Sequence, residues 1–224
     1  YEPFCINLDE YYKQELKLGD RGFVLIDTEH AGYSLHRLMG SENLAIFSMD
    51  CKDDLIELVE IFSERIDSYV KNIIKMGVSG PFQWVGPELF IPPLISPEGF
   101  DDFVFKHDRK ICDAIHNSGG NVWVHCHGKV EKFIPKFIEM GVDILNPLEP
   151  PKNGDIDLKK IVEEFGNSIG LEGNIEIQDI IQDNEEELKN KIYQCVNTGK
   201  KSGRFILCPS AGYMEYPFPD DRYI

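Results

Sequence analysis

The hydrophobic pattern in the second half of the chain alternates short apolar runs with amphipathic segments. The apolar runs predict four strands, and the segments between them place apolar residues at helical three- and four-residue steps. The strands are predicted at residues 121–125, 142–145, 169–171 and 204–208, and the helices at 130–140, 158–165 and 185–198.

The first half carries the same two kinds of element with longer connections. Residues 23–27 are a short apolar run, which predicts a strand. Asp27, Glu29 and His30 lie at its end and are interpreted either as an acid–base group or as the beginning of a helix. Residues 53–76 begin with two aspartates and repeat apolar positions at helical spacing, which predicts a long amphipathic helix. A Gly- and Pro-rich segment follows, which is interpreted as the end of a strand that opens into a loop, and a further helix is predicted over residues 96–116.

The predicted strands have few polar positions, which is typical of parallel strands covered on both faces. Strands that alternate with helices through short links favour a parallel sheet with right-handed crossovers. The absence of GxGxxG and GxxxxGK[ST] motifs favours a barrel over an open nucleotide-binding sheet. About six or seven strands are predicted, whereas a complete (β/α)8 TIM barrel needs about 250 residues. We therefore predict an α/β fold, a (β/α)8 barrel that lacks its N-terminal strands in this chain, as a single domain over residues 1–224.

Composition limits the possible partners. Lys and Arg number 23 against 39 Asp and Glu, a net charge of −16, and the sequence has no basic patch for nucleic acid. No run approaches the roughly 18 apolar residues of a membrane span, and the N-terminus shows no signal-peptide pattern. The 6 cysteines are scattered without a CxxC motif, which favours a reducing compartment. We expect a cytoplasmic protein without nucleic-acid or membrane partners.

The most specific chemistry lies in the segment Val-His-Cys-His-Gly, which ends a predicted strand at residues 124–128. Side chains two residues apart on a strand point the same way, so His125 and His127 share a face and Cys126 points oppositely. The carboxyl ends of barrel strands carry the active sites of that fold. Two imidazoles there supply half of a tetrahedral zinc site. The alternative is a pair of histidines that only form hydrogen bonds at the strand end.

Two further residues complete a candidate zinc site. Cys208 ends the last predicted strand, a position equivalent to that of His125. Its alternative role is that of a small buried apolar residue. Glu149 follows another predicted strand, in a proline-rich loop. Its carboxylate is interpreted as a fourth zinc ligand or as a catalytic acid, and the alternative is a solvated side chain without a role in the site. The predicted ligands are therefore His125, His127 and Cys208, with Glu149 as a catalytic residue.

Other positions are candidates for catalysis or for binding substrate. Trp84 lies in an aromatic segment that forms either the wall of an apolar pocket or part of the core. Glu88 follows in a Gly-Pro loop and is a second catalytic candidate. Glu172 and Asn174 come directly after a predicted strand, where they bind substrate or form a turn. Tyr213 begins an aromatic, proline-rich tail, which we expect to fold over the barrel mouth as a substrate-facing flap; the alternative is a poorly ordered tail.

Taken together, these motifs resemble the uroporphyrinogen decarboxylase superfamily, which includes the cobalamin- and corrinoid-dependent methyltransferases. The resemblance extends from about Met39 to the C-terminus and implies a (β/α)8 barrel, in proteins longer than this chain. It rests on LISPEGF at 94–100, HCHG at 125–128, GVDIL at 141–145, EGN at 172–174 and FILCPS at 205–210.

The resemblance implies a zinc-dependent methyltransferase or demethylase component that exchanges a methyl group between a small molecule and a corrinoid (cobalamin) protein. Zinc methyltransferases of the superfamily carry an HxCG segment and a distant cysteine. His125 matches the family histidine, and His127 stands at the position of the first cysteine. The second cysteine of the family lies near Ala211, slightly after Cys208. The related zinc methionine synthases place a glutamate near the position of Glu149.

Two alternatives stay open. Uroporphyrinogen decarboxylases act on a tetrapyrrole without a metal, in porphyrin biosynthesis, and carry Gly-His-Gly where this chain has Ser-Ala-Gly at 210–212. No arginine ends a predicted strand, where an anionic porphyrinogen needs positive charge. The third possibility is a barrel that binds a tetrapyrrole without turnover. Metal analysis distinguishes the zinc methyltransferase hypothesis from these two metal-free alternatives.

Overall fold

The computed structural model describes residues 6–211, and their packing divides them into two compact units. The first unit comprises the described residues up to Val124 together with Met140–Val142. The second comprises His125–Glu139 and the described residues from Asp143 onward. Six strands follow one another in the sheet in chain order. The α/β fold is therefore confirmed, with the strand order of part of a (β/α)8 barrel, and the single domain stays a prediction.

The first unit consists of three strands and the helices between them. The pairing of β1 with β2 is parallel, with Ile26 opposite Phe82. Its elements are α1 (Asp9–Leu18), β1 (Ile26–Asp27), α2 (Ala31–Asp50), α3 (Lys52–Lys75), β2 (Pro81–Val85), α4 (Glu98–Phe100), α5 (Lys106–Asn117) and β3 (Asn121–His125), of which His125 belongs to the second unit. Short 3-10 turns at Gly19–Arg21 and Pro87–Phe90 and a π-helical turn at Asp101–Phe105 complete it.

The structure confirms the long helix α3 and corrects the elements around it. The first strand is shorter than predicted, because Phe23 lies outside it and is exposed. Helix α2 begins directly after His30, in agreement with the interpretation of that segment as the beginning of a helix, although its length was not predicted; Gly40, with φ of 76°, interrupts its regular geometry. Strand β2 lies at the beginning of the segment interpreted as a strand end that opens into a loop. Its proline is the first residue of the strand, where a missing N–H is tolerated.

The second unit contains the remaining strands, which pair in parallel. Ile144 pairs with Gly170 between β4 and β5, and Asn174 pairs with Cys208 between β5 and β6. Its elements are the 3-10 turn Glu131–Phe133, α6 (Ile134–Met140, whose last residue belongs to the first unit), β4 (Ile144–Leu148), α7 (Leu158–Phe165), β5 (Gly170–Ile175), α8 (Ile177–Gln182), α9 (Glu185–Gly199), the 3-10 turn Lys200–Ser202 and β6 (Phe205–Pro209).

Two strands of the second unit extend further than the sequence predicts. Strand β4 continues through Asn146 to Leu148, and β5 continues through Glu172 and Asn174. These polar side chains alternate with buried residues, so Glu172 and Asn174 lie on one face of β5. Asn146, Glu172 and Asn174 therefore lie within these two strands and not in the loops after them.

Side-chain caps explain where two helices of this unit begin. Asp157 accepts hydrogen bonds from the N–H groups of Lys159 and Lys160 at the start of α7. Asn184 and Glu187 form a reciprocal capping box at the start of α9. No helix in residues 6–211 is long and apolar enough to cross a membrane.

Candidate functional site

The two histidines predicted at the end of β3 lie on one face, as the strand period requires. His125 and His127 are half-buried, whereas Cys126 between them is fully buried. Their imidazole rings are nearly perpendicular, with centroids 4.5 Å apart. The alternation that the sequence predicted therefore continues past the last residue of the strand, and the two rings come together.

Asn146 fixes the orientation of the first histidine. It is the third residue of β4, and its Oδ1 lies 2.5 Å from Nδ1 of His125. An amide oxygen can only accept a hydrogen bond, so Nδ1 of His125 must donate. The backbone carbonyl of Asn146 also accepts the N–H of Cys126 at 2.6 Å. Asn146 is thus bound to the histidine segment through both its side chain and its backbone.

Glu149 fixes the second histidine in the same way. Its Oε1 lies 3.1 Å from Nδ1 of His127, and its Oε2 accepts the N–H of Gly128 at 2.6 Å. Gly128 has φ of 87°, a conformation that favours glycine. Burial by itself raises the pKa of Glu149, but the hydrogen bonds from His127 and Gly128 outweigh it, so the pKa is lowered. Glu149 is therefore a buried carboxylate with both oxygens engaged.

The remaining ring nitrogens face each other. Nε2 of His125 and Nε2 of His127 are 2.8 Å apart. Because Nδ1 of each neutral ring carries the hydrogen, each Nε2 presents a lone pair. Two lone pairs at this separation repel, and a cation bound by both atoms removes the repulsion. The geometry therefore favours a positively charged species at the two Nε2 atoms, either a shared proton or a metal ion.

Cys208 lies close to the same asparagine. Its sulfur is 4.0 Å from Nδ2 of Asn146, and its thiol donates to the carbonyl of Pro209 at 3.2 Å. Burial, together with the adjacent carboxylate of Glu172, raises the pKa of the Cys208 thiol to about 11. The strand pairing that sets Cys208 opposite Asn174 places it on the face of β5 that carries Glu172.

The donor chemistry of this cluster fits zinc, although a complete ligand set is not formed. Zinc sites in enzymes use three protein ligands, with imidazole and thiolate among the preferred groups. Within residues 6–211, no three His, Cys, Asp or Glu side chains are gathered so as to hold a metal ion. Two imidazole nitrogens converge, and a third ligand requires the Cys208 thiol to turn from the Pro209 carbonyl.

The other predicted site residues have different surroundings. Asn174 donates from Nδ2 to the carbonyl of Leu148 at 2.8 Å, a contact that holds β5 against β4. Trp84 and Glu88 belong to the first unit, where Trp84 is 1% exposed and Glu88 lies in a 3-10 turn. Tyr213 and its proposed flap lie outside the described residues. The roles of these residues in catalysis or in binding substrate stay predictions.

The structure also reveals residues that the sequence analysis missed. Asn146 carried no signal, because the strand was predicted to end before it. In the first unit, Asp108 was missed, and it is completely buried together with His30, which the sequence analysis had singled out; Nδ1 of His30 lies 3.7 Å from Oδ2 of Asp108. Burial lowers the pKa of His30 to about 3 and raises the pKa of Asp108 well above its usual value. Burial therefore favours the uncharged form of both side chains.

Comparisons with known proteins agree with this fold. The sequence profile of the family described as uroporphyrinogen decarboxylase (URO-D) matches residues 35–216. Among curated proteins, no sequence matches the chain. Among solved structures, a methyltransferase from Methanosarcina mazei matches with a TM-score of 0.72 and 19% sequence identity. The match covers 92% of this chain and 57% of that methyltransferase chain.

Proposed function

Because the chain belongs to the uroporphyrinogen decarboxylase family, we propose that it is a zinc-dependent methyltransferase or demethylase component that works with a corrinoid protein. The observation that carries the proposal is the separation of 2.8 Å between Nε2 of His125 and Nε2 of His127. The Methanosarcina mazei methyltransferase shares the fold, which supports a methyltransferase role as part of the proposal. The chain spans 57% of that protein, so activity, substrate and partner all belong to the proposal.

The residues that would hold zinc come from the carboxyl ends of β3 and β6. His125 and His127 would bind it through Nε2, and Cys208 through its thiolate, leaving a fourth position for substrate. When bound, the metal would supply a Lewis acid that lowers the pKa of a thiol or hydroxyl group on the methyl acceptor. Glu172, which contacts Cys208, is placed to approach that acceptor.

The protein's part in the reaction is to bind and orient a small methyl acceptor against a methylated corrinoid. In the direction from corrinoid to thiol, the carbon–cobalt bond breaks and both of its electrons stay on cobalt. The carbon–sulfur bond forms from the electron pair of the acceptor thiolate. The thiol proton goes to solvent, so charge and atoms balance. Demethylation of a small methyl donor runs the same transfer towards the corrinoid.

The experiment is zinc analysis of the purified chain and of histidine variants. We expect about one zinc per chain in the wild type, the stoichiometry of a single catalytic site. His125→Ala and His127→Ala should each lose most of the metal. His116→Ala is the matched control, because His116 is exposed on α5 in the first unit. Zinc retained by both histidine variants would exclude the proposed ligands.

A second measurement distinguishes the reactions. The zinc-loaded chain is mixed under anaerobic conditions with methylcobalamin and a small thiol, and the absorbance of the corrinoid is followed. Demethylation of the corrinoid that depends on His125 and His127 supports the proposal. A zinc-free chain that releases carbon dioxide from uroporphyrinogen would establish the decarboxylase alternative. A zinc-free chain that binds the tetrapyrrole without turnover would establish the non-catalytic alternative.

A further inference from the structure

A cleft of about 620 Å³ opens at the carboxyl end of β1, within the first unit. Its volume is that of a small-molecule site, for which about 300–1,000 Å³ is typical. One side is formed by the residues that end β1 and begin α2, and the other side is formed by α3. Parallel sheets bind their ligands at the carboxyl ends of the strands. The cleft therefore has the size and the position of a ligand-binding site.

The α3 side of the cleft is apolar and aromatic. Phe62, Ile66 and Tyr69 follow one another at steps of four and three residues, so they form one stripe along the helix. All three side chains are half-buried, whereas the core face of α3 is buried. The stripe therefore lies beside the core face, and it offers two aromatic rings to a ligand.

A carboxylate with a fixed orientation lines the β1 side of the cleft. Asp27 is the last residue of β1 and lies opposite Gln83 of β2. The side-chain amide of Gln83 donates a hydrogen bond to Oδ1 of Asp27. A carboxylate has two oxygens and accepts several hydrogen bonds, so Asp27 can accept from a ligand while Gln83 holds it. The negative charge of Asp27 is therefore available to a cationic group in the cleft.

The other two charged residues of the cleft differ in their surroundings. Glu29 forms an ion pair with Arg37 and accepts the hydroxyl hydrogen of Ser34 at 2.9 Å, so its charge is neutralised within the protein. Arg65 is an exposed residue of α3. Its guanidinium has five N–H donors and can bind a carboxylate in addition to its contacts within the protein. The cleft thus presents one negative charge from β1 and one positive charge from α3.

We propose that this cleft binds a zwitterionic small molecule, an α-amino acid with an apolar or aromatic side chain. Its ammonium group binds Asp27, its carboxylate binds Arg65, and its side chain lies against the aromatic stripe of α3. Charge complementarity favours this class over a simple cation or anion, because each of those leaves one charge of the cleft unmatched. The proposed zinc ligands belong to the second unit, so the inference does not depend on the proposed function.

The test is isothermal titration calorimetry with three probes that differ in one charged group. Phenylalanine carries both charges, phenethylamine carries only the ammonium group, and hydrocinnamate carries only the carboxylate. We expect phenylalanine to bind about tenfold more tightly than either analogue, because each analogue loses one charge-assisted hydrogen bond. Alanine should bind more weakly than phenylalanine, because its side chain buries less apolar surface against the stripe.

Two substitutions at exposed positions assign the charges. Asp27→Asn should weaken the binding of phenylalanine and phenethylamine about tenfold and leave that of hydrocinnamate unchanged. Arg65→Gln should weaken the binding of phenylalanine and hydrocinnamate and leave that of phenethylamine unchanged. Asp20→Asn and Arg21→Gln are the matched controls, because both residues are exposed in the first unit and neither lines the cleft. Thermal unfolding shows whether each variant is folded, and the comparison of the three probes on the wild type needs no variant.

Each result decides for or against a zwitterion in the cleft. Losses of affinity that follow the substituted charge support the inference. It is overturned if phenylalanine does not bind at millimolar concentration, or if one analogue binds as tightly as phenylalanine. Sedimentation of the free protein tests a second copy as the alternative occupant. A dimer that Ile66→Glu dissociates would identify the cleft as an interface and would also overturn the inference.

Discussion

The buried pair His30 and Asp108 makes the stability of the first unit depend on pH in a way that two substitutions can separate. Burial holds the pKa of His30 at about 3, below the 6.5 of an exposed histidine. Burial holds the pKa of Asp108 well above its ordinary value of 3.8. The lowered pKa of His30 makes stability rise with pH, whereas the raised pKa of Asp108 makes stability fall as the pH rises. The two contributions of the wild-type pair therefore have opposite signs and offset each other.

Removing one partner exposes the contribution of the other. Asp108→Asn resembles the protonated acid in shape and leaves only His30 to titrate. In that variant the unfolded state binds a proton below about pH 6.5 that the folded state does not, so stability falls as the pH falls. From pH 7 to pH 5 the loss is about 2 kcal/mol. His30→Gln leaves only Asp108, whose folded state retains a proton, so stability falls as the pH rises above about 4.

The assay is urea unfolding followed by circular dichroism at pH 5, 6 and 7. The free energy of unfolding of each variant is compared with that of the wild type at the same pH, so that groups shared by all three chains cancel. The two variants should differ from the wild type with opposite dependence on pH. The reasoning is refuted if Asp108→Asn parallels the wild type over this range, or if both variants change in the same direction.

Three further substitutions test local features of the second unit. Gly154→Ala should lower the free energy of unfolding by about 1–3 kcal/mol, since an added Cβ would lie 2.2 Å from the carbonyl oxygen of Glu149. The control in the same urea titration is Gly22→Ala, because the added Cβ would meet only side-chain atoms of Leu18 at 3.6 Å or more. Asn184→Ala should cost about 1 kcal/mol through loss of the α9 cap, and a cost no larger than that of the exposed Asn190→Ala would contradict the capping role. Glu149→Gln should weaken zinc binding about tenfold in chelator competition while leaving the stoichiometry unchanged, and a complete loss of zinc would instead identify Glu149 as a ligand.

The parts of the fold that the sequence predicts well are those in which one periodicity dominates. Helix α3 and strand β3 were predicted nearly to the residue, because α3 keeps helical spacing over its whole length and β3 is bounded by polar residues. Strand β2 was predicted only as a strand end without bounds, because its proline and the glycines around it are also typical of loops. Local signals of turns therefore hid the bounds of a strand that pairs with β1.

The pair His30 and Asp108 shows a second limit of prediction from the sequence. The two residues are distant in sequence, and each stands where a polar residue is ordinary, at a helix start and on a polar-rich helix. Only tertiary packing within the first unit brings the two side chains together and buries them. Periodicity indicates which face of a helix is apolar on average, and a single polar residue on the buried face is hidden within that average.

In the candidate site too, local spacing predicts some features and tertiary contacts determine the others. The spacing of His125 and His127 alone is enough to place two imidazoles on one face, because the strand period is a property of the backbone. Which nitrogen of each ring is available depends instead on Asn146 and Glu149, which belong to another strand and to the loop after it. Sequence spacing contains no information on ring tautomers, so Glu149 stayed open as a ligand or an acid. Its contact with Nδ1 of His127 makes orientation of the ring the role that the geometry favours, and the chemistry of the site then depends on the two converging Nε2 atoms.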